Sequence, residues 1–186
     1  VKAAVSNAFG TNKISLSAGS YTVPVSLKKA DNVEQNSMAA GAVGKNATLE
    51  VAEDGTASLE VELKALNLYG MTGAAKDLKV YQGNDTKSET KDVTVEKTDE
   101  AGNPTKIKFT IPESAKTTDG IYLHMMISPI AKETDAFLKV DYASLKGNEN
   151  VSDGTKENTI HIAQFGGYDI KTTVTYKDGK VTDLQI

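Results

Sequence analysis

The feature that most constrains the fold of this chain is an alternation of apolar and polar residues with a period of two. Such a period predicts half-buried β-strands, because successive side chains of a strand point to opposite faces. It is clearest from 19 to 28, where the apolar positions are Tyr21, Val23, Val25 and Leu27. Pro24 lacks a backbone N–H, so this strand is expected at a sheet edge or beside a bulge. Helical periodicity never persists for three turns, and the best candidate for a helical turn lies at 37–42.

The same alternation recurs along the chain and predicts further strands. Two of them, at 49–51 and 59–63, flank a turn at 53–56 whose Asp-Gly pair is a strong hairpin signal. A strand at 93–95 is expected to pair with one at 107–111 across a polar loop. The most apolar run, 121–128, is followed after a short connector by 137–142, and the charged residues at 132–135 between them are expected in a solvated turn. Seven or eight short strands at this spacing predict an all-β antiparallel sandwich with one short helical turn.

Composition divides the chain into four segments. Residues 1–18 are expected to form an N-terminal leader segment, and 19–146 the sandwich. Residues 147–158 are polar and rich in turn formers, which is typical of a linker or long loop. Residues 159–186 predict a C-terminal β-hairpin or small β extension with a tight turn at Asp178 and Gly179. This last segment is too short for a core of its own, so it is expected to pack on the sandwich or to begin a further domain.

Several classes of function are disfavoured by composition alone. The chain has no cysteine, which removes Cys-zinc and iron–sulfur chemistry. All 21 basic residues are lysines and the net charge is −4, so nucleic-acid binding is not expected. No uninterrupted apolar run has the length of a membrane span, so no membrane insertion is expected.

Catalysis is also not expected. The two histidines, His124 and His161, lie in different predicted strands, and their spacing does not form a metal motif. The sequence contains no nucleophile elbow and no phosphate-binding glycine loop. The acidic residues Glu50, Glu60 and Glu62 occupy the polar phase of strands, as solvated side chains do. The chain is therefore interpreted as a non-catalytic module.

The order of these features resembles one known family. A strand over 21–27, Ser37-Met38-Ala39 at the start of a short turn, and the strand pair 121–128 and 136–142 are similar to the NEAT domain of Gram-positive surface proteins. The resemblance covers 19–146 and implies an immunoglobulin-like β-sandwich that handles haem in iron uptake. It also implies a secreted location, at the cell surface or in the cell wall.

The resemblance implies a lipophilic slot between the short turn and the last hairpin. Ser37 would hydrogen-bond a haem propionate, and Met38 would pack on the macrocycle. The opposite wall would be lined by Leu123, Met125, Ile127, Leu138, Val140 and Tyr142. A flat apolar ligand needs such a slot, with polar groups only at its carboxylate edge. A simpler alternative for Ser37 is an N-cap on the short turn.

The iron ligand of the family is missing from this chain. Haem-binding members carry Tyr-x-x-x-Tyr at the entrance to the last strand, and the corresponding positions here are Lys132 and Ala136. No Tyr-x-x-x-Tyr occurs anywhere in the sequence. His124 is expected on the face opposite Leu123, away from the slot, so a partly buried histidine is the preferred interpretation. Tyr142 is the best remaining ligand candidate, although a strand-end aromatic residue is the simpler alternative.

Residues 158–186 carry a second resemblance. The sequence QFGGY at 164–168, followed by KDGKVTD at 177–183, is similar to the opening strands of an FMN-binding-type repeat. The flavin-attachment region of that family would lie beyond residue 186, so no flavin site is assigned. A plain hairpin is the preferred interpretation of this segment.

Three functions follow from these observations as alternatives. The first is a surface module that binds haem or another tetrapyrrole with altered or absent iron ligation. The second is a module that binds a partner protein, such as a host haemoprotein, through its loops and without a cofactor. The third is a structural spacer in a repetitive surface protein.

Overall fold

The computed structural model describes residues 8–147, 154–162, 168–177 and 180–185. Within them every strand pairing is antiparallel, and the helical content consists of three 3₁₀ turns at Ala40–Ala42, Glu113–Ala115 and Tyr142–Ser144. The strands are β1 (Ala8–Phe9), β2 (Ile14–Ser15), β3 (Gly19–Lys29), β4 (Val43–Val51), β5 (Ala57–Leu63), β6 (Leu66–Leu68), β7 (Met71–Tyr81), β8 (Thr90–Asp92), β9 (Thr94–Thr98), β10 (Pro104–Thr110), β11 (Gly120–Ser128), β12 (Lys132–Val140), β13 (Lys146–Gly147), β14 (Gly154–Ile162), β15 (Tyr168–Lys177) and β16 (Lys180–Gln185). The all-β fold class is confirmed.

Strand β3 belongs to both sheets of the sandwich. Its first half, from Gly19 to Pro24, pairs with β4, and its second half pairs with β12 from Val25 onward. One sheet therefore has the strand order β3-β4-β5-β10-β9, and the other has the order β3-β12-β11-β7-β6. Pro24 lies where the strand changes partners, and its carbonyl accepts a hydrogen bond from the Asp141 N–H at 2.9 Å. The proline thus occupies a crossing point between sheets, where a missing N–H donor is tolerated.

Two predicted hairpins are confirmed in register. In the β4–β5 hairpin Leu49 faces Leu59, and the Thr56 N–H donates to the Asp54 carboxylate at 2.8 Å across the turn. In the β9–β10 pair Val95 lies opposite Ile107. Side-chain alternation and turn chemistry together were enough to set these pairings.

The core lies between the two sheets and is built from the apolar side chains at alternate positions of the strands. Its largest fully buried side chains, each at most 2% exposed, are Phe9, Val23, Leu27, Leu49, Leu59, Ile107, Ile111, Ile121, Leu123, Met125, Ile127 and Leu138. Phe9 comes from the short β1–β2 hairpin, which lies outside the predicted sandwich boundary. Residues 8–16 of the expected leader segment 1–18 thus contribute Phe9 and Leu16 to the core.

Two other predicted boundaries also differ. Strand β12 begins at Lys132 and not at the predicted 136 or 137. The charged residues at 132–135 are therefore strand residues and not a solvated turn. The connector is only 129–131, where Ala131 adopts a positive φ of 48°. The predicted linker 147–158 is too long, since β14 begins at Gly154. Both predictions took a charged stretch to be a turn or loop, but the exposed positions of strands also carry charged residues.

The chain divides into two compact units, Val1–Gly147 and Asn148–Ile186. In the second unit, β14, β15 and β16 form a three-stranded antiparallel sheet in that order. The predicted turn at Asp178 and Gly179 and the QFGG part of the FMN-like segment lie outside the described residues. Within the described ranges, no helix has the length and apolarity needed to cross a membrane.

Candidate functional site

Six of the eight residues expected to line a ligand slot are core residues. Leu123, Met125, Ile127, Leu138, Val140 and Tyr142 are between 0% and 3% exposed. They belong to the same hydrophobic cluster as the residues of the opposite sheet. These apolar side chains of β11 and β12 therefore face the interior of the sandwich, where their apolar surface is removed from water. The structure buries these six side chains in the core and does not expose them in an open slot.

The other phase of β11 and β12 faces outward. On β11 the outward side chains are Tyr122, His124, Met126 and Ser128, all partly exposed. His124 lies opposite Asp135 on β12, and Tyr122 lies opposite Phe137 with ring centroids 4.9 Å apart. His124 is on the face opposite Leu123, as predicted, but this is the accessible face of the sheet.

The turn containing Ser37 and Met38 is held against the end of β3. The Ser37 N–H donates to the Leu27 carbonyl at 3.0 Å, and the Ser37 Oγ accepts from the Ala39 N–H at 3.2 Å. Ser37 therefore makes a local side-chain turn bond to Ala39, but it is not the N-cap of the 3₁₀ turn Ala40–Ala42, whose N-cap is Ala39. Met38 is 37% exposed, which is high for a methionine and leaves its thioether available for contact.

A groove of about 450 Å³ connects this turn to the start of β12. It is lined by Ser37 and Met38 on one side and by Lys132, Glu133, Thr134 and Asp135 on the other, with Lys29, Ala30, Asp31 and Thr86 completing its rim. The lining combines two lysines with three carboxylates, and its apolar residues are Met38 and Ala30. Its volume lies within the range of small-molecule sites.

Next to the groove, three side chains from neighbouring strands form a hydrogen-bonded network. The Tyr81 hydroxyl donates to Asp135 Oδ1 at 2.7 Å, and His124 Nδ1 lies 2.8 Å from the same oxygen. The rings of Tyr81 and His124 meet edge to face at 6.5 Å. Burial, the hydrogen bond to Asp135 and its negative charge raise the pKa of Tyr81 to about 12. Tyr81 therefore remains a protonated phenol that donates to the carboxylate.

Tyr142, the remaining tyrosine candidate, lies away from the groove. It is in the 3₁₀ turn after β12 and packs on Phe9, with ring centroids 5.6 Å apart. Burial, with a smaller contribution from the Asp119 carboxylate, raises the pKa of Tyr142 above its ordinary value. A separate cavity of about 380 Å³ lies beside it, bounded by Phe9, Gly10 and Asp141 among others. A neutral, buried phenol is a poor ligand for ferric iron, since the tyrosinate form is the one that binds.

The residues that sequence reasoning missed are Tyr81 and Asp135. The signal for Asp135 was weak, because it lies in a charged stretch that resembled a solvated turn. No local pattern connects Tyr81 with residues 43 and 54 positions away, and only strand order brings them together. Among the described residues, no group of three or more acidic or histidine side chains is placed to hold a free metal ion.

The fold is an immunoglobulin-like β-sandwich, and the groove beside the start of β12 is its candidate binding site. Residues 15–144 match the NEAT family, described as an iron transport-associated domain, and this match covers well over half of the 186 residues. The chain therefore belongs to the NEAT family. NEAT domains are non-catalytic binding modules that occur in Gram-positive surface proteins. A comparison with curated proteins found no match.

Proposed function

We propose that this chain is an extracellular module of a Gram-positive cell surface or cell wall that binds haem or a related tetrapyrrole in the groove between Ser37–Met38 and the start of β12. One observation carries the proposal. The structure brings the Ser-Met turn next to the strand segment from which the family draws its iron ligand, and an open groove lies between them.

The polar wall of the groove suits the carboxylate edge of such a ligand. Lys29 and Lys132 supply positive charge on two sides of the groove, and Ser37 can donate its hydroxyl hydrogen. Lys29 Nζ already donates to Gln35 Oε1 at 2.7 Å, which holds its ammonium group near the rim. Asp31 and Glu133 oppose the two lysines and weaken the attraction for propionates. We therefore expect modest affinity, with carboxylate contacts that decrease as salt increases.

The apolar part of the ligand would rest on Met38. A flexible thioether side chain adapts to a flat surface, and its exposed position leaves room for a macrocycle. Ala30 is the only other apolar residue of the groove lining. Bound porphyrin would supply its own metal and spectroscopic properties, while the chain positions and orients it.

A second function, recognition of a partner protein without a cofactor, has one observation in its favour. Half of the residues that line the groove are charged, and the segment 31–36, which begins at the lining residue Asp31, is largely exposed. Such a surface also suits a polar protein contact, for example with a haemoprotein that carries the ligand. A structural spacer would need neither the groove nor Met38.

Titration of the purified chain with haemin tests the proposed function. We expect a saturable shift of the Soret band, and we expect Met38→Ala to raise the Kd about fivefold, since losing part of a methionine contact costs about 1 kcal/mol. Met71→Ala is the matched control, because Met71 is similarly exposed at 43% but lies at the start of β7, outside the groove lining. A Soret band that never saturates, or equal affinities for the two variants, would favour the cofactor-free functions.

A further inference from the structure

A cavity of about 380 Å³ lies between the β1–β2 hairpin and the end of β12, and it shares no lining residue with the groove. Its volume lies within the range of small-molecule sites. The rings of Phe9 and Tyr142 meet in its wall with centroids 5.6 Å apart. The apolar part of the lining is completed by Ile14, Pro24, Val25, Val140 and Ala143. This wall suits the apolar body of a small molecule better than the groove does, since the apolar residues of the groove are only Met38 and Ala30.

The β1–β2 hairpin forms one side of this cavity and is held in place by hydrogen bonds. The Gly10 N–H donates to the Lys116 carbonyl at 2.8 Å. Thr11 donates from its N–H and its hydroxyl to the two carboxylate oxygens of Asp119, at 2.9 and 2.7 Å. Gly10 has a positive φ of 74°, and a Cβ there would lie 2.9 Å from Tyr142 Cδ2. The hairpin therefore lies directly against the aromatic wall, and Asp119 is occupied in holding it there.

Two side chains of opposite charge in the lining make no hydrogen bond or ion pair with any residue that the structure describes. They are Lys139, which is partly exposed near the end of β12, and Asp141, which is exposed just after that strand. The other lysine of the lining, Lys28, donates from its ammonium group to Asn36 Oδ1 at 2.7 Å. The open side of the cavity thus offers one free ammonium group and one free carboxylate to a ligand.

The Tyr142 hydroxyl is a further unsatisfied polar group of the cavity wall. The side chain is 3% exposed, and its oxygen has no hydrogen-bond partner among the described residues. Buried polar groups of native proteins nearly always have a partner, so an exception requires an explanation. Burial raises the pKa of Tyr142, so the hydroxyl keeps its hydrogen at neutral pH and is a donor. Because Tyr142 lines the cavity, a bound molecule can supply the acceptor that the fold does not.

We propose that this cavity binds a small zwitterion with an apolar body, that is, a free apolar amino acid. Its carboxylate contacts Lys139, its ammonium group contacts Asp141, and its side chain packs in the apolar wall beside Ile14 and Pro24. The lining contains two lysines and two aspartates, so an ion of a single sign gains no net attraction, whereas a zwitterion matches both free charges. The site is independent of the proposed function, because none of its residues lines the groove.

Chemical-shift mapping of the ¹⁵N-labelled chain with four small probes tests this assignment. We expect L-phenylalanine to cause saturable shifts of the backbone amides of Gly10, Asn12, Ser26 and Lys139, with little change at 132–135. Since 3-phenylpropionate lacks the ammonium group and phenethylamine lacks the carboxylate, each should bind at least about fivefold more weakly. Glycine carries both charges but no apolar body, so it should cause no saturable shift over the same concentrations.

Variants at the open side of the cavity complete the test. Lys139→Ala and Asp141→Asn are each expected to raise the Kd for L-phenylalanine at least about fivefold, because each removes one charge contact. Tyr142→Phe keeps the ring and removes only the hydroxyl, and we expect about a threefold rise. Lys97→Ala, on exposed β9 outside the lining, is the matched control and should bind as the native chain does. Equal affinities for L-phenylalanine and 3-phenylpropionate, or the absence of saturable shifts at these amides, would overturn the assignment.

Discussion

Replacing Leu138 with alanine is expected to lower the free energy of unfolding by about 2–5 kcal/mol, the range for large apolar side chains deleted from a core. Leu138 is 0% exposed and lies opposite Ile121 on β11 and Leu27 on β3. Its side chain is therefore enclosed in the core, and truncation leaves a cavity that the surrounding strands only partly fill. Urea-induced unfolding followed by far-ultraviolet circular dichroism measures the loss.

The neighbouring residue on the same strand provides the control. Lys139→Ala changes a partly exposed side chain of the opposite phase, so we expect a change within about 0.5 kcal/mol. Nearly equal effects of the two substitutions would show that Leu138 faces an open slot rather than the core. That result would indicate that the inward apolar side chains of β11 and β12 line the ligand site, as the resemblance implies.

Gly73→Ala is expected to destabilise the sandwich by about 3 kcal/mol or more, at or above the upper end for an inserted methyl group. Gly73 is near the start of β7, where a Cβ would lie 1.8 Å from the carbonyl oxygen of Ser128. That oxygen belongs to backbone at the end of β11, so a rotamer change cannot relieve the overlap. The β7–β11 pairing next to it, held by the Ser128 Oγ and Ala74 N–H bond at 3.1 Å, would have to open. Thermal unfolding measures the effect.

Gly41→Ala is the matched glycine control. A Cβ at Gly41 would meet only Leu66 Cδ2 at 3.6 Å, an ordinary contact, and the residue lies in the turn beside the groove. We expect its melting temperature to stay close to that of the native chain. If Gly73→Ala melts as Gly41→Ala does, the close approach of β7 to the end of β11 is not present in solution.

The strands and their pairing could be predicted because their signals are local. The alternation around Val23, the Asp-Gly turn at 54–55 and the partnership of Val95 with Ile107 each depend on nearby residues. The NEAT resemblance also held, since the family match spans 15–144. The limits of the sandwich were less predictable, because Phe9 reaches the core from a two-residue strand too short to show a period.

The site could be predicted only in part. Alternation correctly separated Leu123 from His124, but it does not say which side of a sheet is covered by a second sheet. The apolar phase was assigned to a slot by analogy, whereas burial of apolar area assigns it to the core. The contact of Tyr81 with Asp135 depends on β7 lying two strands from β12, which is a property of the whole sheet and not of any local pattern.

The central claim is that a tetrapyrrole binds on the outward face beside Ser37 and Met38. Chemical-shift mapping with zinc protoporphyrin IX, a diamagnetic probe, on the ¹⁵N-labelled chain tests it most directly. We predict saturable shifts of the backbone amides at 29–31, 37–38 and 132–135, with little change at Phe9, Gly10 and Tyr142. Shifts concentrated around Phe9 and Tyr142 would place the ligand in the separate cavity beneath the β1–β2 hairpin. That pattern, or the absence of any saturable shift, would contradict the claim.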